Sequence, residues 1–178
     1  MAIPPIPTPR LELACVPPEV MEALQGDDLE AAGELLGVEP SVEWAETIPD
    51  VLRLRQIRAS VSERQWLVRA MVLRGSSPTL VGSLGFHAPP DQRGAVEVGY
   101  TVLTAHRRRG YAKEAVLSLL SWAGGEHGVR RFVASVGPWN LPSLALVRKL
   151  GFVQVGTRWD DEDGEELVFE LERPAPSG

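Results

Sequence analysis

Ala95-Val96-Glu97-Val98-Gly99-Tyr100-Thr101-Val102-Leu103, followed by Thr104-Ala105-His106-Arg107-Arg108-Arg109-Gly110-Tyr111-Ala112-Lys113-Glu114-Ala115, is the stretch that decides the fold. Its first part alternates: Val96, Val98, Tyr100 and Val102 point one way, and Glu97, Gly99, Thr101 and Leu103 the other, the period of a strand. The period then changes. Ala112, Ala115, Val116, Leu119, Leu120 and Ala123 recur at helical spacing, so a helix over about 109–123 is expected, ended by Gly124-Gly125. Between strand and helix stand three arginines and a glycine. A helix N-terminus presents unsatisfied N–H groups and a partial positive charge, which suit a phosphate. Gly110 and Ala112 are small where backbone must approach oxygen atoms closely. The bland alternative is a solvated basic loop. Neither a Walker loop nor a Rossmann glycine fingerprint occurs.

Working outward, Trp66–Leu73 and Leu80–Phe86 read as strands joined by the turn Gly75-Ser76-Ser77-Pro78. With Ala95–Leu103 they form a meander. Arg10–Val16 is a short strand stopped by Pro17-Pro18. Val20, Leu24 and the stretch Leu29–Leu36 suggest two short helices. Glu39 to Pro49 reads as loop, and Val51 to Val61 as another helix. Downstream, Arg130–Val136 is a strand and Asn140–Leu150 a helix closed by Gly151. Phe152–Thr157 and Leu167–Leu171 form a final hairpin. The order gives an α/β layer architecture with a mixed central sheet. One domain over residues 1–178 is expected, with residues 1–9, which carry four prolines, as a loose arm and residues 173–178 as a frayed tail.

Composition excludes several classes. The formal net charge of −6 disfavours a nucleic-acid partner and favours basic ones such as amines. No apolar run is long enough to span a membrane, and the first residues lack the features of a signal peptide, so a cytoplasmic location is expected. Cys15 is the one cysteine and reads as a packed residue. His87, His106 and His127 are scattered without metal spacing, and no metal is expected. Asp160-Asp161-Glu162-Asp163-Gly164 resembles part of a calcium loop, but the opening ligand would be Trp159, so a solvated hairpin tip is the better reading.

The motifs taken together resemble the GNAT superfamily of N-acetyltransferases, above all its branch that acetylates ribosomal-protein N-termini. Arg107-Arg108-Arg109-Gly110-Tyr111-Ala112 fits the family's Gln/Arg-x-x-Gly-x-Gly/Ala cofactor motif. Glu97-Val98-Gly99-Tyr100 is similar to the preceding strand, Lys113-Glu114-Ala115 to the helix start, and Thr8-Pro9-Arg10-Leu11 to the opening strand. Asn140-Leu141-Pro142-Ser143 and Lys149-Leu150-Gly151-Phe152 are similar to a second motif. The resemblance covers nearly the whole chain. It implies a mostly antiparallel sheet flanked by helices and splayed between its fourth and fifth strands. Acetyl-CoA would be the cosubstrate. Its pantetheine arm would pair with Thr101 and Val102 and touch Asn140, and its pyrophosphate would rest on backbone N–H groups from Arg108 to Lys113.

The resemblance also frames the chemistry. Amine acetylation needs a base for the amine proton, a polarised carbonyl and a proton for the departing thiolate. Glu97 sits on the strand whose far end would hold the thioester, with Gly99 leaving space beside it, and is the candidate base, acting through water. Its alternative is an exposed glutamate on a half-solvated face. The N–H of Val102 would polarise the carbonyl. Many family members carry a tyrosine seven positions after the motif asparagine; here that position is Val147, which cannot donate a proton. Ser143 is the candidate acid, or else simply part of the helix start that Asn140 caps. Trp44 lies in the region that lines the acceptor site. The implied reaction is acetyl transfer to a primary amine, either a protein N-terminus or a small molecule, by a monomer or homodimer. A non-catalytic acyl-CoA-binding module is the alternative of another class.

Overall fold

The computed structural model describes residues 3–161 and 164–173. Met1 and Ala2 of the expected arm, Glu162 and Asp163 of the acidic hairpin tip, and all but Arg173 of the expected tail lie outside them. Eight strands form one sheet: β1 (Ile6–Pro7), β2 (Leu11–Cys15), β3 (Arg69–Leu73), β4 (Thr79–Phe86), β5 (Ala95–Val102), β6 (Arg131–Val136), β7 (Val153–Asp160) and β8 (Gly164–Glu172). Their order across the sheet is β1-β2-β3-β4-β5-β6-β8-β7, and every neighbouring pair is antiparallel except β5 with β6. The short β1, absent from the expected layout, makes the opening strand the second and moves the splay to between β5 and β6.

Two cores lie on opposite faces of the sheet. Helix α6 (Tyr111–Glu126) contributes Ala115, Val116, Leu119 and Leu120, all fully buried. They pack with Val96 and Val98 of β5 and with Leu144 and Val147 of α7 (Leu141–Lys149). The alternation read from β5 therefore holds: its valine face meets α6. On the other face lie α1 (Pro18–Gln25), α2 (Leu29–Leu36), α3 (Val42–Glu46), α4 (Asp50–Arg58) and α5 (Val61–Arg64). Val20, Met21, Leu24, Trp44 and Ile48 close against Val68, Ala70, Leu80 and Leu103 there. The fully buried Trp44 donates from Nε1 to the Gly82 carbonyl at 3.2 Å, fixing α3 over β4.

Three local expectations are corrected. The segment expected as a loop contains α3, capped by the Ser41 hydroxyl on the Trp44 N–H; five residues are too few for a period to show. Helix α6 runs through Gly124 and Gly125 to Glu126, because buried Gly124 leaves room for the Val129 carbonyl, which lies 3.4 Å from where a Cβ would stand. The arm is not loose over its described part. Ile6 is buried and paired with Leu13, and Thr8 donates to Glu114 at 2.5 Å. The same carboxylate accepts the Arg10 backbone N–H at 2.6 Å and Arg10 Nε at 2.7 Å, so the β1–β2 turn clamps the first turn of α6.

Candidate active site

The sheet parts where β5 and β6 diverge. Their parallel pairing covers only Ala95, Val96 and Glu97, opposite Arg131, Phe132 and Val133. Beyond Glu97 no described strand pairs with that edge of β5. Two backbone bonds fix which groups face the opening: His87 N–H donates to Glu97 O at 2.9 Å and Leu103 N–H to Val81 O at 2.9 Å. Odd-numbered residues of β5 therefore bond to β4, while the backbone groups of Val98, Tyr100 and Val102 turn toward the gap. Thr101, expected to offer its backbone to a cofactor, instead commits it to Ser83 across the β4–β5 ladder. The outward groups belong to Tyr100 and Val102, and Arg107 Nε donates to the Val102 carbonyl at 3.0 Å.

The gap opens onto the Arg107–Lys113 turn. A 3-10 turn (Thr104–His106) leads into Arg108 at φ 62° and Gly110 at φ 82°, both left-handed. Gly110 is the N-cap of α6 and supplies no capping side chain, so the N–H groups at the start of α6 keep their outward direction. Arg107, Arg108 and Arg109 are exposed around it. Arg10 holds the turn from behind, donating to the Arg109 carbonyl at 3.0 Å and lying 4.6 Å from the centre of the Tyr111 ring. Unoccupied donors, left-handed geometry and flanking arginines fit a bound phosphate.

On the other side of the gap, α7 begins. Asn140 Oδ1 accepts the Ser143 backbone N–H at 3.2 Å, the capping arrangement. The Ser143 hydroxyl stands beside Tyr100. Burial pushes the Tyr100 phenol up, partly countered by this serine, yet Tyr100 Oη makes no full hydrogen bond among the described residues. Val147 is packed in the core at 1% exposure, so the position seven after Asn140 cannot reach the gap with any side chain of its present size.

A pocket of about 170 Å³ adjoins the gap on the α3–α4 face. Ile48, Leu52, Ser83, His87, Gly99 and Thr101 are among its walls. Trp44 is not among them; it lies beneath, in the core. Glu97 is not among them either; it lies 3.7 Å from the His87 ring of the pocket wall, and its carboxylate is occupied. Arg158 donates to it twice, at 2.9 and 2.8 Å. Burial raises the Glu97 carboxyl, but the bonds from Arg158, the nearby Ser135 hydroxyl and the charges of His87 and Arg158 outweigh it and hold the group below the usual glutamate range.

The profile of the acetyltransferase (GNAT) domain matches residues 18–153. The chain belongs to the GNAT acetyltransferases. It is 31% identical over 151 residues to YjdG, an uncharacterised N-acetyltransferase of Bacillus subtilis (strain 168), a match covering 82% of this chain and 88% of that one. Among solved structures, a GNAT-family acetyltransferase of Bacillus anthracis superposes with TM-score 0.64 at 19% identity, covering 94% of this chain and 98% of that one. RimL, a ribosomal alpha-N-protein acetyltransferase in complex with coenzyme A, superposes with TM-score 0.65 at 18% identity, covering 96% and 99%. These two likenesses establish the fold.

As a GNAT N-acetyltransferase the chain is an enzyme; its family uses acetyl-CoA, and the uncapped α6 terminus and unpaired edge of β5 fit that cosubstrate. Sequence reading brought Glu97, Ser143, Asn140 and the arginine turn to this one place. It missed three side chains found there. Residue order marks Tyr100 only as a strand position, gives His87 no metal spacing and gives Arg158 no local pattern. The signal for His87 is tertiary: it stands opposite Glu97 at the end of the β4–β5 ladder, with its ring diagonally over Gly99.

Proposed function

We propose that this GNAT enzyme acetylates a primary amine carried by a small, uncharged group, and that a protein N-terminal α-amine with a small first residue is the acceptor. The observation that carries the reading is the continuity of two features: the gap edge of β5, where the backbone groups of Tyr100 and the N–H of Val102 pair with no described strand, and the pocket of about 170 Å³ beside it. The named walls of that pocket are apolar or neutral-polar apart from His87, and among the described residues no carboxylate lines it. A polycationic amine would need carboxylates there to offset its desolvation.

When bound, acetyl-CoA supplies a thioester whose acyl carbon accepts the amine lone pair and whose C–S bond breaks with the electron pair left on sulfur. In this reading the α6 N-terminus, from Arg108 to Lys113, holds its pyrophosphate by backbone N–H groups, and Arg107, Arg108 and Arg109 add positive field. Tyr100 and Val102 align the arm through backbone bonds, with one of their N–H groups polarising the carbonyl. Asn140 shapes the start of α7 beside it. Ser143, with Tyr100 Oη next to it, delivers a proton to the sulfur. Glu97 supplies the negative charge that favours loss of the amine proton on the pocket side.

A small free amine is the second reading, favoured by the modest pocket volume. A thiol-release screen separates them. Peptides beginning with Ser, Ala, Gly or Thr, free amino acids and polyamines are each offered with acetyl-CoA. The proposal expects release with the peptides; release only with free amines or polyamines overturns the acceptor assignment. Tight acetyl-CoA binding with no release from any amine would make the chain a binding module.

A further inference from the structure

We propose that His87, directly after β4, is the group that takes the amine proton, and that Glu97 is its positioning residue. This rests on the acetyl-transfer reading above. Three observations carry it. First, His87 lines the acceptor pocket, whereas Glu97 does not. Second, the imidazole occupies the space that a side chain at 99 would fill: a Cβ on Gly99 would stand 2.7 Å from His87 Nε2. The glycine at 99 is what lets the ring lie directly over β5, beside the residues whose backbone faces the gap. Third, both Glu97 oxygens are engaged by Arg158, so this carboxylate stays anionic and is a poor proton acceptor.

The ring is oriented from its other edge. His87 Nδ1 is 3.7 Å from Glu97 Oε1, close enough for an ion pair with the imidazolium. The adjacent anion favours the tautomer with hydrogen on Nδ1, which leaves the Nε2 lone pair on the Gly99 side. Backbone contacts fix the residue's position: its N–H donates to the Glu97 carbonyl at 2.9 Å, and its carbonyl accepts from Arg55 of α4. The charged groups around it are therefore Glu97 from β5, Arg158 from β7 behind that carboxylate, and Arg55 from α4.

The step balances without further reagents. As the new C–N bond forms, the thioester C–S bond breaks with its electron pair left on sulfur, the amine nitrogen loses one proton to Nε2, Glu97 stabilises the imidazolium, and the thiolate takes its proton from the Ser143 side. The His87 side chain is 42% exposed, so the ring returns that proton to water through its open edge.

Four proteins test this: wild type, His87→Gln, Glu97→Gln and the double variant. Each is checked for a wild-type circular dichroism spectrum and for acetyl-CoA affinity by calorimetry. His87→Gln is expected to lower kcat/KM by about 100-fold, the scale of a lost general base, and to remove the base limb of the pH profile with acetyl-CoA affinity within about twofold. Glu97→Gln is expected to lower it by about tenfold and to displace that limb without removing it. Nitrogen NMR of the free wild-type protein is expected to show the Nδ1–H tautomer at His87, and the Nε2–H tautomer to gain population in Glu97→Gln. Full activity in His87→Gln, loss of the limb in Glu97→Gln alone, or an Nε2–H tautomer overturns the assignment while leaving acetyl transfer intact. No thiol release by wild type with any amine overturns the underlying reading as well.

Discussion

Arg158 of β7 reaches across β8 and β6 to grip both carboxylate oxygens of Glu97 on β5, while its Nε donates to Glu166 at 2.8 Å. The contact crosses the sheet where β5 and β6 are about to part, so it ties the two halves together below the opening. Arg158 is 41% exposed on its side chain, which limits the stability it adds; Arg158→Met is expected to cost about 1 kcal/mol, the upper end for exposed pairs, because three bonds are lost together. Thermal melting measures that. A larger effect is expected on function, since Glu97 is then released to meet His87 directly: KM for the amine rises and the pH profile shifts. An unchanged profile would mean the ion pair is only a staple.

The pocket and cradle are separable. Arg108→Glu with Gly110→Val should abolish measurable acetyl-CoA binding, because a β-branched residue at φ 82° strains the turn and a carboxylate at 108 repels phosphate. Calorimetry with acetyl-CoA reads this directly, and the folded fraction is followed in parallel by circular dichroism. Affinity equal to wild type would remove the phosphate role from residues 107–113.

Glu114 joins the N-terminal turn to α6 through Thr8 and Arg10, and its side chain is only 11% exposed. Glu114→Gln is expected to lose about 1.5–3 kcal/mol, the range for hydrogen bonds to a charged group. Burial raises the Glu114 carboxyl, but the bonds from Thr8 and Arg10 together lower it below the usual range. Its folded-state value is thus depressed, so its stabilisation is complete above the ordinary glutamate value and disappears as pH falls through the lowered one. Melting curves of wild type and variant should therefore lie apart at neutral pH and converge in acid. A constant gap would contradict the linkage.

Tyr100 Oη is a buried hydroxyl without a full partner among the described residues, beside Ser143. Removing an unsatisfied buried group costs the fold little, so Tyr100→Phe should melt at or above the wild-type temperature. If Oη and Ser143 deliver the proton to sulfur, Tyr100→Phe and Ser143→Ala each lower kcat about tenfold, and the double variant no further than the larger single effect. Unchanged kcat in both would assign that proton to solvent.

Several features were legible in residue order because they are local. The two-residue alternation of Ala95–Leu103, the helical repeat from Ala112 and the Asn140 cap each arise from neighbours within one or two turns, and each appears in the fold. The strand-turn-helix sequence around Gly110 likewise follows from backbone preferences that a glycine and a period change announce. The five-residue helix around Trp44 was too short to repeat, and the continuation of α6 through Gly124 depends on Val129 packing beside it.

The amino-acid sequence by itself thus determined the layer architecture, the strand-turn-helix around Gly110 and the acetyltransferase family. Tertiary structure alone decided which side chains meet at the gap. Glu97 and Arg158 are 61 residues apart, and no local pattern relates them. His87 lies over Gly99 only because β4 and β5 pair in one register, and Tyr100 nears Ser143 only because the sheet opens between them. Such contacts depend on strand pairing and burial across the whole sheet, to which local propensity is blind.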